Sequence, residues 1–255
     1  MEKIRTICII QARFGATRLP GKVLMKVGGV SLLERVVNRV KPAKLVDKIV
    51  VATTDEKKDD KIAAFCRRRN IAFFRGSEND VLDRFYQCAL RYPGYGAIAR
   101  ITADCPLIDS KIIDKVIKLF FQKNADYASN VIPPTFPDGL DVEVFSFDVL
   151  EKMWKNATKQ HEREHVTAHV RDNPQKFKIA NLSNKKDLSK IRLTVDYKED
   201  IKFIEHLLKL LPKNFRSKEI MKALDKNTGL ADINKKYGRH DGYDSWRKHC
   251  ENFNK

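Results

Sequence analysis

One short segment near the start of the chain combines three cations with two glycines. It runs from Gln11 to Lys22 and reads QARFGATRLPGK. The cations and glycines are Arg13, Arg18, Lys22, Gly15 and Gly21. Glycines let a backbone approach an anion closely, arginines fork onto phosphate oxygens, and a lysine adds a point charge. These residue types predict a loop that binds a triphosphate.

The segment does not follow the Walker A pattern, which needs four residues between its glycines and a serine or threonine after its lysine. Here five residues separate Gly15 from Gly21, and Val23 follows Lys22. A plain basic surface loop is the alternative. We favour the phosphate loop because so many cations and glycines rarely coincide directly after an apolar strand.

Two aspartates follow apolar strand-like runs. Asp104 follows AIARITA, and Asp196 follows IRLTV. A carboxylate at such a position can hold Mg²⁺, which prefers hard oxygen ligands together with substrate phosphates. Either aspartate could instead cap a helix, although Glu199 and Asp200 are better placed to begin the helix after Asp196. Asp109 is expected to cap the helix that begins at residue 110 or 111.

The elements that would position these residues alternate between strands and helices up to about residue 126. The apolar patterns predict strands at 4–10, 48–53, 71–74 and 97–103. They predict helices around 32–40, 57–69, 81–90 and 112–121. This order implies a mostly parallel sheet covered on both faces, with ligands at the carboxyl ends of the strands.

The pattern changes after Asp126. We predict strands at 127–131, 140–145 and 190–195, a polar helix at 149–170 and a helix at 201–211. The expected organisation is a domain at 1–215, an inserted acceptor or dimerisation region at about 127–190, and a helical tail at 216–255. In the string GLDVE, Asp141 and Glu143 point to one face of a strand, where a half-exposed acidic strand is the alternative.

The string QARFGATRLPGKVL resembles the signature of the cytidylyltransferases that activate sugar acids, and is most similar to their SpsF-like branch. The resemblance covers roughly the first 210 residues and continues through ATTD (52–55), RGSENDVLDRF (75–85), RITADCPLID (100–109), PDGLDVEVF (137–145), REHVT (163–167) and RLTVDYKEDI (192–201). It implies a Rossmann-like α/β nucleotidyltransferase fold of the GT-A type, a three-layer sandwich with a small acceptor or dimerisation subregion.

The resemblance also implies roles for individual residues. Arg13, Arg18, Lys22 and Asp104 would be catalytic, and Asp104 and Asp196 would hold Mg²⁺ on opposite sides of the α-phosphate. Nucleotide binding is expected of Gln11, Ala12, Gly15, Gly21, Thr54, Asp55, Arg75, Ser77, Arg84 and Arg100. Acceptor binding is expected of Asp141, Glu143, Arg163, Glu164 and His165. For Arg84, the alternative is an ordinary i,i+4 helix pair with Asp80. For residues 163–165, the alternative is a solvated polar helix.

The expected reaction is transfer of CMP from CTP to a sugar, sugar acid or phosphorylated small acceptor, with release of pyrophosphate, for surface glycan synthesis. The resemblance leaves GTP open as the donor and does not identify the acceptor. It implies a homodimer. A glycosyltransferase of the same fold is the first alternative, but those enzymes usually carry an Asp-x-Asp motif, whereas ADCP has one aspartate.

The string HEREH at residues 161–165 matches the zinc-protease pattern HExxH, and His169 could be imagined as a third ligand. We disfavour a metallohydrolase because protease helices with this motif have apolar neighbours, whereas this one is flanked by polar residues.

The composition limits the remaining classes. The net charge of +17 attracts polyanions, but it is spread along the chain without interleaved aromatic residues, so nucleic acid is not the favoured partner. Five scattered cysteines fit a reducing cytoplasm better than a disulfide framework. No apolar run is long enough for a membrane span, and the first residues do not form a signal peptide. We therefore expect a cytoplasmic enzyme.

Overall fold

A seven-stranded sheet is the centre of the structure, a computed structural model that describes residues 4–239. Strands in chain order are β1 (Arg5–Gln11), β2 (Lys26–Val27), β3 (Val30–Ser31), β4 (Lys48–Thr54), β5 (Phe73–Gly76), β6 (Tyr95–Thr102), β7 (Tyr127–Ser129), β8 (Glu143–Ser146) and β9 (Ile179–Asn181). Helices are α1 (Leu32–Val40), α2 (Asp60–Arg68), α3 (Val81–Leu90), α4 (Ser110–Lys123), α5 (Phe147–Asn156), α6 (Gln160–Glu164), α7 (Ala168–Asp172), α8 (Lys198–Leu210) and α9 (Ser217–Lys226).

The strand order in the large sheet is β5-β4-β1-β6-β8-β7-β9. Strands β5, β4, β1 and β6 run parallel, so their carboxyl ends lie along one edge. Strand β8 is antiparallel to both of its neighbours. Its first residue, Glu143, therefore lies at the same edge as the last residues of the parallel strands, opposite Arg100 of β6. The mostly parallel α/β architecture is as predicted.

The first strand shows why both faces of the sheet must be covered. Successive side chains of a strand point to opposite faces, and here both sets are apolar. Cys8 and Ile10 join the core cluster that contains α1, α4 and α8. Ile7 and Ile9 join a second cluster, built mainly from α3 and α5. The three layers follow from this two-sided burial.

Polar residues begin several helices at the points where the sequence supplies them. Side chains of Ser31, Asp80 and Ser146 accept a hydrogen bond from the backbone N–H three residues later. Asp109 caps α4 by accepting from Lys111 N at 2.9 Å, which confirms the predicted cap. These caps give a hydrogen-bond acceptor to backbone N–H groups in the first turn of each helix, which have none within the helix.

Two predicted elements are wrong. The helix predicted at 149–170 is three helices, α5 to α7, because Glu162 turns back to accept from the backbone N–H groups of Thr158 and Lys159 and begins a new helix. The strand predicted at 190–195 forms only an isolated bridge, between Asp138 and Arg192. Its backbone bonds go to loop residues, such as Val195 N to Asp104 O at 2.9 Å.

The close approach that replaces this strand depends on Gly139. Its φ is +95°, and a Cβ atom built there would lie 2.6 Å from the backbone nitrogen of Thr194. Only glycine allows both the backbone angle and the contact. The loop around Gly139 is thus pressed against the segment that leads to Asp196.

Other predicted boundaries shift by a few residues. Strand β5 begins at Phe73 and not at residue 71, and β8 begins at Glu143 and not at residue 140. The region predicted as an insertion, 127–190, supplies β7, β8 and β9 to the large sheet. Within residues 4–239 no helix is long and apolar enough to cross a membrane. The end of the predicted tail, residues 240–255, lies outside the described residues.

Candidate active site

The loop after β1 closes on itself before it reaches Lys22. Gly21 adopts a φ of 73°, and its N–H donates to Phe14 O at 2.7 Å. A Cβ atom on Gly21 would lie 2.8 Å from the Phe14 ring. Phe14 N in turn donates to Asp59 Oδ1 at 2.6 Å, which ties the loop to the segment after β4. This closed loop directs Lys22 inward from the sheet edge.

Lys22 joins the two aspartates that the sequence analysis assigned to one metal ion. Its Nζ lies 2.8 Å from Asp104 Oδ2, 2.8 Å from Asp196 Oδ1 and 2.7 Å from the carbonyl oxygen of Val195. An ammonium has three hydrogens to donate, and all three have a protein acceptor here. Lys22 was expected to contact phosphate, but in this structure its donors are used within the protein.

Arg18 approaches the same centre from the solvent side. Its Nη2 lies 3.0 Å from Asp196 Oδ1, and its Nη1 donates to the Tyr197 hydroxyl at 3.5 Å. The Arg18 side chain is 36% exposed, so it can also reach a ligand. We call Arg18, Lys22, Asp104 and Asp196 the lysine cluster.

Charge pairing fixes the ionisation of Lys22 and Asp104. Burial by itself disfavours the charged form of Asp104, yet the Lys22 ammonium outweighs it and lowers the pKa of Asp104 to about 2. Burial likewise opposes the charge on Lys22, but attraction to Asp104 and Asp196 raises the pKa of Lys22 above its ordinary value. Lys22 and Asp104 are therefore both charged throughout the physiological pH range.

Arg13 lies in a different neighbourhood from Arg18 and Lys22. Burial, and then the charge of Arg13, lowers the pKa of Arg84 to about 10. Burial is the main cause that lowers the pKa of His165 to about 4. Nearby positive charges, among them Arg100 and Arg13, lower it as well. The structure thus brings two of the three predicted loop cations together and places the third near Arg84 and His165.

Several predicted nucleotide residues form the rim beyond β4 and β5. Arg75 donates to the backbone oxygens of Thr54 and Glu56 at 2.9 and 3.0 Å and pairs with Asp60 at 2.6 Å. Asp55 is exposed, and its N–H donates to Gly76 O at 3.0 Å. Arg75 thereby holds the ends of two strands in register beside the phosphate loop.

Arg84 is fully buried beneath this rim. Its Nη1 donates to Ser77 O at 2.6 Å, and its Nε and Nη2 have no hydrogen-bond partner among the described residues. The alternative of a helix pair with Asp80 is not what the structure shows, because Asp80 caps α3 and pairs with Arg163. These two nitrogens are themselves buried, so the nucleotide contact predicted for Arg84 stays a prediction.

The remaining predicted nucleotide residues line the first strand and its loop. Ala12 is buried and donates its N–H to Ala52 O at 3.0 Å. Gln11 Oε1 accepts from Arg100 at 3.2 Å. At Gly15 a Cβ atom would lie 2.9 Å from Lys58 Nζ. Gln11 thus connects the phosphate loop to the neighbouring strand β6.

A second group of charges surrounds a cavity of about 150 Å³ at the same sheet edge. We call it the arginine cavity, and its charged lining residues are Arg100, Asp141, Glu143, Arg171 and Arg239. Arg100 pairs with Glu143, and Arg239 pairs with Asp141. The three arginines outnumber the two acids, so with both acids ionised the lining carries one net positive charge.

Glu143 is held by more groups than any sequence pattern indicated. Besides Arg100, the Tyr127 hydroxyl donates to it at 2.5 Å and the Thr167 hydroxyl at 2.6 Å. Burial disfavours the Glu143 carboxylate, but Arg100 and Arg171 outweigh it and lower its pKa to about 2. Glu143 therefore stays ionised and orients Arg100 toward the cavity.

Asp138 and Asp141 behave in the opposite way. Burial, and then repulsion from Asp141, raises the pKa of Asp138 to about 7, despite Arg239 and Arg192. Burial also raises the pKa of Asp141 to about 6, against the attraction of Arg239. The charge on this side of the site therefore changes near neutral pH.

The predicted acceptor residues after Arg163 are only partly directed toward the cavity. Arg163 donates to Asp80 Oδ2 at 2.8 Å and to Trp154 O at 2.7 Å, so it fastens α6 to α3 and α5. Glu164 is the last residue of α6 and is half-buried. His165 follows it in extended conformation, near Arg100 and Arg171.

The HExxH string does not form a zinc site. Helix α6 is only five residues long, and His165 lies beyond its end with φ −109° and ψ 93°, so the two histidines do not share a helix face. His161 pairs with Asp172, and Glu162 accepts from His169 Nδ1 at 2.7 Å. Residues 4–239 contain no group of three or more His, Cys, Asp or Glu side chains placed to hold a metal.

The lysine cluster does fit a magnesium ion. Two carboxylate groups lie close together, because Lys22 Nζ is 2.8 Å from an oxygen of each. The ammonium occupies the point between these two oxygens, so an ion would bind beside it. Two carboxylates completed by substrate phosphates are a donor set that Mg²⁺ accepts. Asp104 and Asp196 are the residues that would hold the ion.

Sequence reasoning missed the residues that support this site from behind. Arg192 is buried and pairs with Asp138, Asp196 and Asp200 at 3.2, 3.0 and 2.9 Å. Its position four residues before Asp196 was visible, but no strand or helix pattern showed that the two side chains meet. Arg171 and Arg239 were missed for the same reason.

The first strand of the parallel sheet leads into a cationic loop, and this loop faces carboxylates from two other segments. This arrangement defines a nucleotidyltransferase. The chain belongs to the cytidylyltransferase family, whose sequence model matches residues 7–237. Similar proteins align with most of this chain, and one similar solved structure has the same fold.

Two relatives and one structure show the extent of the similarity. An uncharacterized protein of Methanocaldococcus jannaschii is 43% identical over 236 residues, which cover 91% of this chain and 95% of the relative. The spore coat polysaccharide biosynthesis protein SpsF of Bacillus subtilis is 33% identical over 232 residues, covering 88% and 95%. A cytidylyltransferase structure from Leptospira borgpetersenii has a TM-score of 0.85 and 36% identity, covering 90% and 97%.

Proposed function

We propose that this cytidylyltransferase transfers CMP from CTP, with Mg²⁺, to a sugar, sugar acid or phosphorylated small acceptor, and releases pyrophosphate. Support for CTP comes from the family, and support for a glycan role comes from the name of the SpsF relative. We propose further that the acceptor becomes a building block of surface polysaccharide, and that the enzyme works in the cytoplasm as a homodimer.

The single observation that carries the proposal is the convergence of Arg18, Lys22, Asp104 and Asp196 on one point. The four residues come from three separate segments and meet at 2.8–3.0 Å. Such a centre is suited to a group that carries several negative charges next to a metal ion.

The chain's own residues would bind and orient the reactants. Arg18 and Arg13 donate to the oxygens of the triphosphate, and Lys22 keeps Asp104 and Asp196 close together while it supplies positive charge. When bound, Mg²⁺ supplies a Lewis acid that withdraws negative charge from the phosphate oxygens. An acceptor oxygen then forms a bond to the α-phosphorus. The bond from that phosphorus to the oxygen that bridges it to the β-phosphorus breaks, and pyrophosphate leaves.

The arginine cavity is the proposed acceptor side. It lies at the same edge of the sheet, and Gln11 and Arg100 connect the two regions through their hydrogen bond at 3.2 Å. Its net positive charge suits an acceptor with an acidic or hydroxylated group near the reacting oxygen. Catalysis would come mainly from positioning and charge neutralisation.

A pyrophosphate-release assay tests the proposal. Purified protein is incubated with each of four ribonucleoside triphosphates, Mg²⁺, and a panel of sugars, sugar acids and sugar phosphates. We expect release with CTP and at least one acceptor, and no release when EDTA is present. Preference for GTP would correct the donor, and no release with any pair would contradict the proposal. Consumption of a nucleotide sugar without pyrophosphate release would indicate the glycosyltransferase alternative.

A further inference from the structure

A short segment near the end of the described chain crosses the back of the lysine cluster. We call residues 234–239 the C-terminal strap; it follows the 3-10 turn Thr228–Ile233. Its first residue, Asn234, is only 2% exposed. The Asn234 amide donates to Arg192 O at 3.3 Å and to Asp200 Oδ1 at 2.9 Å. The strap is thus anchored on residues that neighbour Asp196.

The middle of the strap contacts Arg192 and Tyr197, which lie before and after Asp196 in the sequence. The Tyr237 ring stacks on the Tyr197 ring, with centroids 3.7 Å apart and planes 5° apart. The carbonyl oxygen of Gly238 accepts from Arg192 Nη1 at 3.2 Å. Tyr197 and Arg192 are therefore both held by the strap, and Tyr197 is also the residue whose hydroxyl accepts from Arg18.

Arg192 determines which oxygen of Asp196 faces the site. Its Nη2 donates to Asp196 Oδ2 at 3.0 Å, while Asp196 Oδ1 faces Lys22 and Arg18. Asp200 completes the support, because it accepts from the backbone N–H groups of Asp196 and Tyr197 at 2.8 and 2.9 Å. One oxygen of Asp196 is held from behind, and the other is presented to the front.

Asp196 needs this support because no strand holds it. Asp104 lies two residues beyond β6, whose ladder with β1 fixes its position. Asp196 follows a segment that forms only an isolated bridge. A side chain is placed precisely only when its own backbone is fixed or when neighbouring groups restrain it. Here the restraint comes from Arg192, Asp200 and the strap.

We propose that the C-terminal strap is a working part of the nucleotide site: Tyr237 and Asn234 are positioning residues that, through Tyr197 and Arg192, hold the Asp196 carboxylate in the orientation that binds Mg²⁺ with CTP. This rests on the proposed function, since it assigns a role toward the same metal and nucleotide. Groups that orient a metal ligand commonly change metal affinity about 10-fold to 100-fold when they are removed.

The test measures CTP binding by isothermal titration calorimetry at a series of Mg²⁺ concentrations and without Mg²⁺. Tyr237→Ala removes the stacked ring. We expect the Mg²⁺ concentration that gives half-maximal CTP affinity to rise about fivefold. This is less than the change expected for a residue that contacts the metal-binding Asp196 directly. Tyr237→Phe keeps the ring and should restore the wild-type value. Metal-free CTP binding should change little in either variant.

A matched control comes from the strap itself. Lys235 lies two residues before Tyr237 and pairs only at the surface with Asp232, where the two side chains are 70% and 61% exposed. Lys235→Ala should leave the Mg²⁺ dependence unchanged. Arg192→Lys keeps the charge but loses the forked contact, and it should raise the required Mg²⁺ about tenfold. Thermal melting of every variant shows whether it is folded.

The outcomes separate this inference from the proposed function. If wild-type protein binds no CTP with Mg²⁺, the proposed function fails and the role of the strap fails with it. If wild-type binds and Tyr237→Ala requires no more Mg²⁺, the inference is overturned while the proposed function stands. Equal weakening of CTP binding with and without Mg²⁺ in a folded Tyr237→Ala would also overturn it, because the strap would then not act through Asp196.

Discussion

The lysine cluster and the arginine cavity lie at one edge of the same sheet, yet the pKa values of their aspartates shift in opposite directions. In the lysine cluster one buried cation lies between two aspartates, and the pKa of Asp104 falls to about 2. Beside the arginine cavity, burial and then repulsion from neighbouring carboxylates raise the pKa values of Asp138 and Asp141 to about 7 and about 6. Glu143 stays ionised beside Arg100 and Arg171, whereas Asp138 and Asp141 do not beside Arg192 and Arg239, so a nearby arginine does not always outweigh burial.

This contrast has a functional meaning. A centre that keeps buried charges near neutral pH is suited to hold a metal ion and a triphosphate, which carries several negative charges at that pH. A centre whose charge changes between about pH 6 and 7 can make binding of a second substrate depend on pH. We therefore expect the pH dependence of the reaction to arise on the acceptor side.

The largest expected effect tests the lysine cluster. Asp104→Asn keeps the size of the side chain but removes the charge that would hold the metal. Lewis-acid stabilisation is worth several kcal/mol, so kcat for CTP-dependent pyrophosphate release should fall about 1000-fold. Asp225→Asn, an exposed acid of α9, is the matched control and should match wild type. A folded Asp104→Asn with undiminished turnover would remove Asp104 from the site.

The second effect tests the other side of the comparison. Because the folded-state pKa of Asp138 is about 7 and the ordinary value about 3.9, the folded protein keeps a proton that the unfolded chain releases. Stability is therefore lost as the pH rises from about 4 to about 7. Asp138→Asn cannot ionise and should gain on the order of 2 kcal/mol over wild type between pH 5 and pH 8.

Urea unfolding at the two pH values measures this gain. Asp225→Asn again serves as the control, since an exposed acid has no such burial to relieve. If the difference in unfolding free energy between Asp138→Asn and wild type is the same at pH 5 and pH 8, the raised pKa is wrong and the contrast between the two regions disappears.

A smaller effect concerns the cation that faces solvent. Arg18→Ala removes one charge-assisted donor at the lysine cluster, so the KM for CTP should rise about tenfold and kcat should fall. Arg18→Lys retains the charge and should recover part of the loss. Steady-state kinetics decide this, and wild-type constants in both Arg18→Ala and Lys22→Ala would defeat the assignment of the phosphate loop.

The smallest effect concerns the HExxH string. His161 makes a partly exposed pair with Asp172, so His161→Ala should cost less than about 1 kcal/mol of stability and leave pyrophosphate release unchanged. Metal analysis of the purified protein should find no stoichiometric zinc. Zinc bound to wild type and lost from His161→Ala would reopen the metallohydrolase alternative.

Local sequence determined the first half of the molecule well. Strands β1, β4 and β6 are apolar runs of 7, 7 and 8 residues, so they were predicted close to their observed positions, as was the cap at Asp109. Helices α6 and α7 are short, and propensity alone could not show that Glu162 would divide a longer helix or that residues 190–195 would pair with a loop.

The sequence by itself determined the order of strands and helices and which residue types follow the strands, because periodicity and capping act over a few neighbouring residues. Only the tertiary structure decided which of those residues meet. Lys22 reaches Asp104 and Asp196 across 82 and 174 positions, and Arg239 reaches Asp141 across 98. Contacts at such separations depend on how the sheet and its loops pack, which no local pattern encodes.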